Sequence, residues 1–290
     1  MNRRFLLFFI LLVLACFNGY TQLSDLHYLP PLKQGSNNGS VQQQRVYLST
    51  PETTAFTVNA YVGTSTTSIP FTISNVNPAT YNPGNGDNGI TMVRNQDTGV
   101  IINSAGLRFE APGGQKFYVN YRGSSNAQST SLTAKGRQAL GTAFKWGGAP
   151  NYGTTNEQGT SLGIMATEAN TTVDIFGYDP NCEFREGNDR DGITSNTIQV
   201  VLAAGESFVL EAHIAESVAN IEGWLGASIV SDKPIAISNG GLNYAVVNGS
   251  GGSRDAGIDQ PVPESNLGKD YIFVRGGGIT ATEFPIIIAT

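Results

Sequence analysis

Apolar and polar residues alternate with a period of two along most of this chain, and helical periodicity is nearly absent. In Ser207–Ile214, Phe208, Leu210, Ala212 and Ile214 fall on one face, while Val209, Glu211 and His213 fall on the other. That spacing predicts a half-buried antiparallel strand. Thr57–Val62 alternates likewise, with Val58, Ala60 and Val62 on the core side. Short β-branched or aromatic runs at 198–202, 229–230, 235–237 and 271–274 predict further strands. Turn residues separate them. Ala203–Glu206 places Gly205 where a positive φ is needed, and Glu168–Thr171 forms a hairpin tip with Asn170 suited to left-handed geometry. Ser231–Pro234 reads as a turn joining Ile229-Val230 to Ile235–Ile237, and Pro112–Gln115 takes the same place earlier in the chain. Leu132–Leu140 has helix formers for a turn or two, whereas its counterpart, Asp259–Glu264, is a proline-bearing loop.

The pattern recurs. Tyr47–Val58 lies over Ile164–Ile175 without a gap, and Phe117–Gly123 lies over Ile235–Gly241. A third start is visible where Ile287–Thr290 repeats Ile164–Thr167 and Leu267-Gly268 repeats Leu140-Gly141. Repeat 1 is placed at about 44–123 and repeat 2 at about 140–245; repeat 3 begins near 267 and is cut short. The expected fold is all-β, with repeats of short antiparallel strands in a propeller-like array that this stretch leaves unclosed. Tandem β-sandwiches are the alternative, because strand length and repeat length do not separate the two. The segments 124–139 and 177–197, where the copies differ, are the expected seats of specificity.

The N-terminus changes the picture. Arg3 and Arg4 precede an apolar run from Phe5 to Ala15, too short to span a bilayer but suited to a signal-peptide core. Residues 1–21 therefore read as a signal peptide cleaved before Gln22, leaving 22–290 as an incomplete β-repeat domain. The rival reading is a lipoprotein signal, in which Val13–Cys16 is the lipobox and Cys16 the lipidated residue. The mature part then holds one cysteine, Cys182, so apolar burial and not disulfides must stabilise it. That thiol is expected to be buried. The net charge of −6 is spread without blocks, and no run of basic residues offers to neutralise phosphates. Nucleic acid is excluded as a partner on that ground, and no second apolar stretch could span a membrane.

Candidate chemistry is sparse. The only histidines, His27 and His213, stand far apart and read as surface residues, so a hydrolytic triad or zinc site has no local basis. The densest acidic loop, Asp179–Gly192, offers Asp179, Asn181, Glu183, Asp189 and Asp191 as hard oxygen ligands of the kind Ca²⁺ takes, but it fails the EF-hand spacing. A solvated turn is the plainer reading; no other cofactor is indicated. Arg254, Asp255 and Asp259 lie in a proline-stiffened loop and are the binding-surface candidates. Trp146 and Trp224, each close to glycine, suggest sugar stacking, but Trp224–Ala227 reads more naturally as a strand entering a core.

Leu162–Val173, Ala204–Phe208, Ile229–Ile237 and Leu267–Val274 together resemble the N-terminal domain type named after the IgG Fc-binding protein. The opening Gln22–Leu32 is similar to the mature start of large exported Bacteroidota proteins that carry this domain. The resemblance covers essentially all of 22–290. It implies a cell-surface or secreted protein associated with gliding motility or type IX secretion, and it supplies no catalytic or ligand residues. The expected function is a non-enzymatic binding or adhesion module for an extracellular macromolecule: a glycan, matrix or a surface protein. The alternatives are a structural spacer presenting a distal domain, and an exported hydrolase that draws a carboxylate pair from separate loops.

Overall fold

The computed structural model describes residues 22–34, 40–125, 128–152, 159–245, 255–274, 276–277 and 285–289. Residues 1–21, where a signal peptide is expected, with Cys16 among them, and Arg254 lie outside the described residues. The chain is nearly all-β, as its alternation requires. The first strands are β1 (Leu26–Leu29), β2 (Leu32–Lys33), β3 (Gln42–Ser49), β4 (Phe56–Val62), β5 (Ile69–Ile73) and β6 (Ala79–Tyr81). There follow β7 (Met92–Val93), β8 (Ile101–Ile102), β9 (Leu107–Glu110), β10 (Tyr118–Ser125) and β11 (Gln128–Thr133). The second half holds β12 (Gly141–Lys145), β13 (Gly159–Ala166), β14 (Thr171–Phe176), β15 (Phe184–Glu186) and β16 (Asp189–Ile193). It closes with β17 (Thr197–Leu202), β18 (Ser207–His213), β19 (Ser228–Tyr244) and β20 (Asp255–Asp259).

In the first half, two four-stranded sheets, ordered β1-β9-β4-β5 and β11-β10-β3-β6, enclose one core. Val58, Ala60, Leu107 and Phe109 from one sheet meet Val46, Leu48, Val119 and Tyr121 from the other. The second half does the same work with a single strongly curled sheet of ten strands, nine of its own and β8 from the first half. It contains the order β12-β19-β14-β17 and, sharing β19, the order β20-β19-β13-β18. These are the first half's two orders, strand for strand. The difference lies in one connection. Pro112, Gly113 and Gly114 interrupt the path between β9 and β10, whereas β19 runs unbroken for 17 residues. The turn expected at Ser231–Pro234 is therefore a bend within a strand: Ser228–Ser231 pairs with β14, and Ile235–Gly240 pairs with β13. Local bonds hold the bend, since Asp232 accepts the Thr172 amide at 2.8 Å and Ser231 Oγ donates to the Lys233 carbonyl at 2.7 Å. The all-β class holds: the curled sheet forms a half-barrel, and the other sheets are small.

Other expectations shift for physical reasons. The 132–140 segment makes only a 3-10 turn at Gly136–Ala139, and the proline loop ends in one at Glu264–Asn266, so these two places agree where divergence was expected. Tyr271–Val274 joins no ladder, and its side chains stand exposed together with Ile287. Gly205 at φ 83° and Asn170 at φ 54° take the left-handed backbone their turns need. Strand β18 is buried on both faces rather than half-buried, because the first half of the chain covers its second side. Val209 packs with Val93, Ile102 and Ala105, and Ser207 Oγ donates to the Ala105 carbonyl at 3.0 Å. Glu211 is buried as well, paired with Arg185.

The two halves meet where Pro31–Lys33 lies across β13. An added Cβ on Gly163 would stand 1.8 Å from the Pro31 carbonyl oxygen, so no larger residue fits. Beside it Ser161 Oγ accepts the Lys33 amide at 3.3 Å, and Met165 packs with Tyr28 and Ala236.

Both histidines are buried, against the surface reading. His27 packs on Phe117 with ring centroids 4.8 Å apart. Its Nε2 lies 2.8 Å from the Phe117 carbonyl, which can only accept, so Nε2 carries the proton. Burial pushes its pKa from 6.5 down to about 4, against the pull of backbone partners. Cys182 is buried as expected, and burial pushes its thiol up to about 12. Trp146 and Trp224 pack 5.2 Å apart in the second core, although Trp224 sits in a turn and not in a strand.

Two measurements check this picture. Gly163→Val should destabilise the protein by about 3 kcal/mol or more, because the Pro31 carbonyl must be displaced from the sheet. A urea midpoint for the variant equal to wild type would contradict the close approach. His27 gives a signed pH effect: the unfolded chain gains a proton below 6.5 that the folded chain refuses until about 4. Stability should thus fall with pH across that window, by up to about 1.4 kcal/mol per pH unit, and this contribution should be constant above it. His27→Phe should lose stability at neutral pH, and the gap to wild type should narrow between pH 6.5 and 4, read from urea midpoints.

Candidate functional site

The second half's sheet β20-β19-β13-β18 presents small residues to the segment lying on it. Three cross-strand pairs make up this face: Ser161 with Gly240, Gly163 with Ser238, and Met165 with Ala236. The first half's sheet β11-β10-β3-β6 has the same order, and its matching pairs are Arg45 with Arg122, Tyr47 with Asn120, and Ser49 with Tyr118. The sequence alignment set Tyr47 against Ile164, but the strand register sets it against Gly163. The gapless match holds for β4 and β14, where Val58 and Ile175 both face a core, and slips by one residue on β3. A slip of one residue exchanges the two faces of a strand. Ile164 points into a core, and Tyr47 points out.

The first half's face is open where its counterpart is covered. Tyr47 is 41% exposed and Tyr118 37%, and Arg122 is exposed between flanking polar residues. The outward positions of β3 are Gln43, Arg45, Tyr47 and Ser49; those of β10 are Tyr118, Asn120, Arg122 and Ser124. Strand β11 adds Ser129, Ser131 and Thr133, and β6 adds Thr80. None of these positions carries a carboxylate. The result is a platform of two tyrosines, two arginines, and rows of amides and hydroxyls.

Neutral oxygens hold the platform in place. The Arg122 guanidinium lies 5.3 Å from the Tyr47 ring centre, and its Nε donates to Asn120 Oδ1 at 2.7 Å. Asn120 Nδ2 donates in turn to Ser131 Oγ and Thr133 Oγ1, both at 3.0 Å. Arg45 Nη1 donates to Asn82 Oδ1 at 2.9 Å and to the Gln44 carbonyl at 2.6 Å. Beneath the sheet a buried network fixes β3: Gln44 Oε1 accepts from Tyr121 Oη at 3.0 Å, Thr91 Oγ1 at 2.7 Å and Asn88 Nδ2 at 2.9 Å. Burial pushes the Tyr121 hydroxyl well above its usual value, so it stays protonated and donates. A guanidinium held by neutral acceptors keeps its full charge available to a ligand.

The residues singled out from the sequence fall elsewhere. Asp179 and Asn181 close a local turn, in which Asp179 Oδ1 accepts the Asn181 amide at 2.8 Å and its Nδ2 at 2.9 Å. The Glu183 amide donates to Asn220 Oδ1 at 3.0 Å. Asp189 and Asp191 share the exposed strand β16, and the neighbouring Asp191 carboxyl raises the Asp189 pKa. Among the described residues no three His, Cys, Asp or Glu side chains converge on a point that could hold a metal ion. Asp259 pairs with Lys135 at 3.0 Å, and Asp255 accepts the Ala256 amide at 2.8 Å. No signal marked the platform in the sequence, because its two arginines stand on strands far apart along the chain.

No helix among the described residues is long and apolar enough to cross a membrane. Comparison with known proteins gives one finding. No curated protein matches this chain, and no solved structure matches it. Residues 129–290 match the family model described as IgGFc binding protein, a span that begins within β11 and takes in every strand of the curled sheet except β8. That is more than half of the chain, and it agrees with the resemblance carried by Leu162–Val173 and Ile229–Ile237: the chain belongs to the IgGFc binding protein family.

Proposed function

We propose that this protein is an exported, non-enzymatic module that binds an extracellular macromolecule through the open face of β11-β10-β3-β6. One observation carries the reading. The same face of the second half is covered by chain, with small residues at Ser161, Gly163, Ser238 and Gly240 where the segment lies, while that of the first half is left open by the described residues and carries tyrosine, arginine and asparagine. Exposed aromatic and guanidinium groups in a pre-ordered array are what binding surfaces concentrate. A merely soluble end face would be met by any polar residues and would not require Tyr47 and Tyr118 in water. Family membership supports a binding role, and the apolar run at Phe5–Ala15 supports export.

The test is a binding screen of the purified protein on arrays of glycans, matrix components and surface proteins. Wild type should bind at least one class, and the double variant Tyr47→Ala/Tyr118→Ala should lose about tenfold or more in apparent affinity, as removal of stacked aromatic contacts does. The variant's circular dichroism should match wild type, since both side chains point outward. Equal binding by wild type and the double variant would remove the platform from the function.

A further inference from the structure

We infer that the platform's partner is an acidic polysaccharide, specifically a glycan chain bearing uronate carboxylates. The inference rests on the binding role proposed above and goes beyond it in naming the ligand's chemistry.

The charges come first. Arg45 and Arg122 stand directly opposite each other on neighbouring antiparallel strands. Like charges so placed repel, and a sheet normally sets an opposite charge beside them. Here it does not. Among the described residues Arg94, Arg108, Arg137, Arg185 and Arg190 each pair with a carboxylate, whereas Arg45 and Arg122 have only neutral oxygen acceptors and the Tyr47 ring. The contrast with the other sheet of the same sandwich is direct: there Arg108 also lies over a tyrosine, Tyr61, at 4.1 Å, but Glu110 sits 3.2 Å away. In a chain of net charge −6, two adjacent uncompensated arginines on a carboxylate-free face form a local anion site.

The shape and the remaining groups select the anion. The planar guanidinium fork accepts a planar carboxylate through two parallel hydrogen bonds. The surface is an open sheet face of pleated strands rather than a closed cavity, so it suits an extended chain and not a compact ligand. Tyr47 and Tyr118 offer ring faces on which the apolar side of a sugar can lie, as amphipathic tyrosine does at recognition surfaces. The hydroxyls and amides of Asn120, Ser49, Ser131 and Thr133 match the repeated hydroxyls of a polysaccharide. A neutral glycan would leave both arginines uncompensated, and an acidic peptide would leave the hydroxyl rows without use.

The experiment titrates purified protein against immobilised polygalacturonate and alginate, with neutral dextran, dextran sulfate and polyglutamate alongside. Binding to the two uronate polymers should exceed that to dextran by about tenfold or more and should weaken as salt rises from 50 to about 500 mM. Arg45→Glu and Arg122→Glu should each reduce it about tenfold or more, and Arg94→Glu, the same charge change off this face, should leave it unchanged. Arg122→Gln separates charge from fold: it keeps a polar side chain and should still lose binding, with an unaltered urea midpoint. Preference for dextran sulfate, polyglutamate or neutral dextran, sensitive to Tyr47→Ala, would overturn the uronate inference and leave the binding role standing. If none of these polymers binds, and array binding is unchanged by Tyr47→Ala/Tyr118→Ala and by both arginine reversals, the inference and the binding role fall together.

Discussion

One close approach organises this molecule: the Pro31 carbonyl lying over Gly163. At 1.8 Å from where a Cβ would stand, it admits glycine alone, and it brings the segment Pro31–Lys33 down onto the outer face of β13. Burial of that face follows, and with it the full burial of β13 and β18, whose alternation by itself would leave one side to water. Polar groups on the buried faces of these strands have partners: Ser161 serves the Lys33 amide, Ser207 the Ala105 carbonyl, and, within the second half, Glu211 the guanidinium of Arg185. A buried pair of that kind adds little net stability, but removing either member would strand a charge and cost about 3–5 kcal/mol. Such a seam specifies how the halves meet more than it strengthens the meeting.

The same geometry explains why the two halves differ in their outward faces although their strand orders agree. Where a covering segment comes close, as Pro31 does over Gly163, the face must hold small residues. A face that carries none is free to hold large ones. The pairs Ser161–Gly240 and Gly163–Ser238 meet the first condition; Arg45–Arg122 and Tyr47–Asn120 meet the second. The platform is therefore a structural opportunity at the uncovered end of the layered arrangement, made specific by the choice of arginine and tyrosine. Its rigidity comes from below, where the Gln44 network ties β3 to Tyr121, Thr91 and Asn88.

The sheet connection shows how a small sequence difference changes architecture without changing topology. Two glycines after Pro112 give the chain freedom to leave one sheet and enter the other, producing two separate four-stranded layers. Ser231–Pro234 instead bends an unbroken strand, so the corresponding layers stay joined through β19 as one curled sheet. Both solutions wrap an apolar core. In the second, Trp146, Trp224 and Phe184 supply the bulk that fills the curl.

Local chemistry was legible from the chain alone: the all-β class, the strands with Val58 and Phe208 facing inward, the left-handed turns at Gly205 and Asn170, the buried Cys182 and the recurrence of strands all rest on residue type and near spacing. Whatever depends on residues distant in sequence was not legible. His213 and Glu211 alternate like surface residues, yet both are buried, Glu211 against Arg185 and His213 beside Glu216 and Asn220. The gapless alignment put Tyr47 over Ile164 because an alignment does not see which face a side chain takes; cross-strand register, a tertiary quantity, moves the match by one residue and turns Tyr47 outward. Arg45 and Arg122 read as scattered charges until β3 and β10 pair. Sequence fixes what each strand can bury, through the period of its side chains; tertiary pairing decides which faces are covered and so which residues are left to bind.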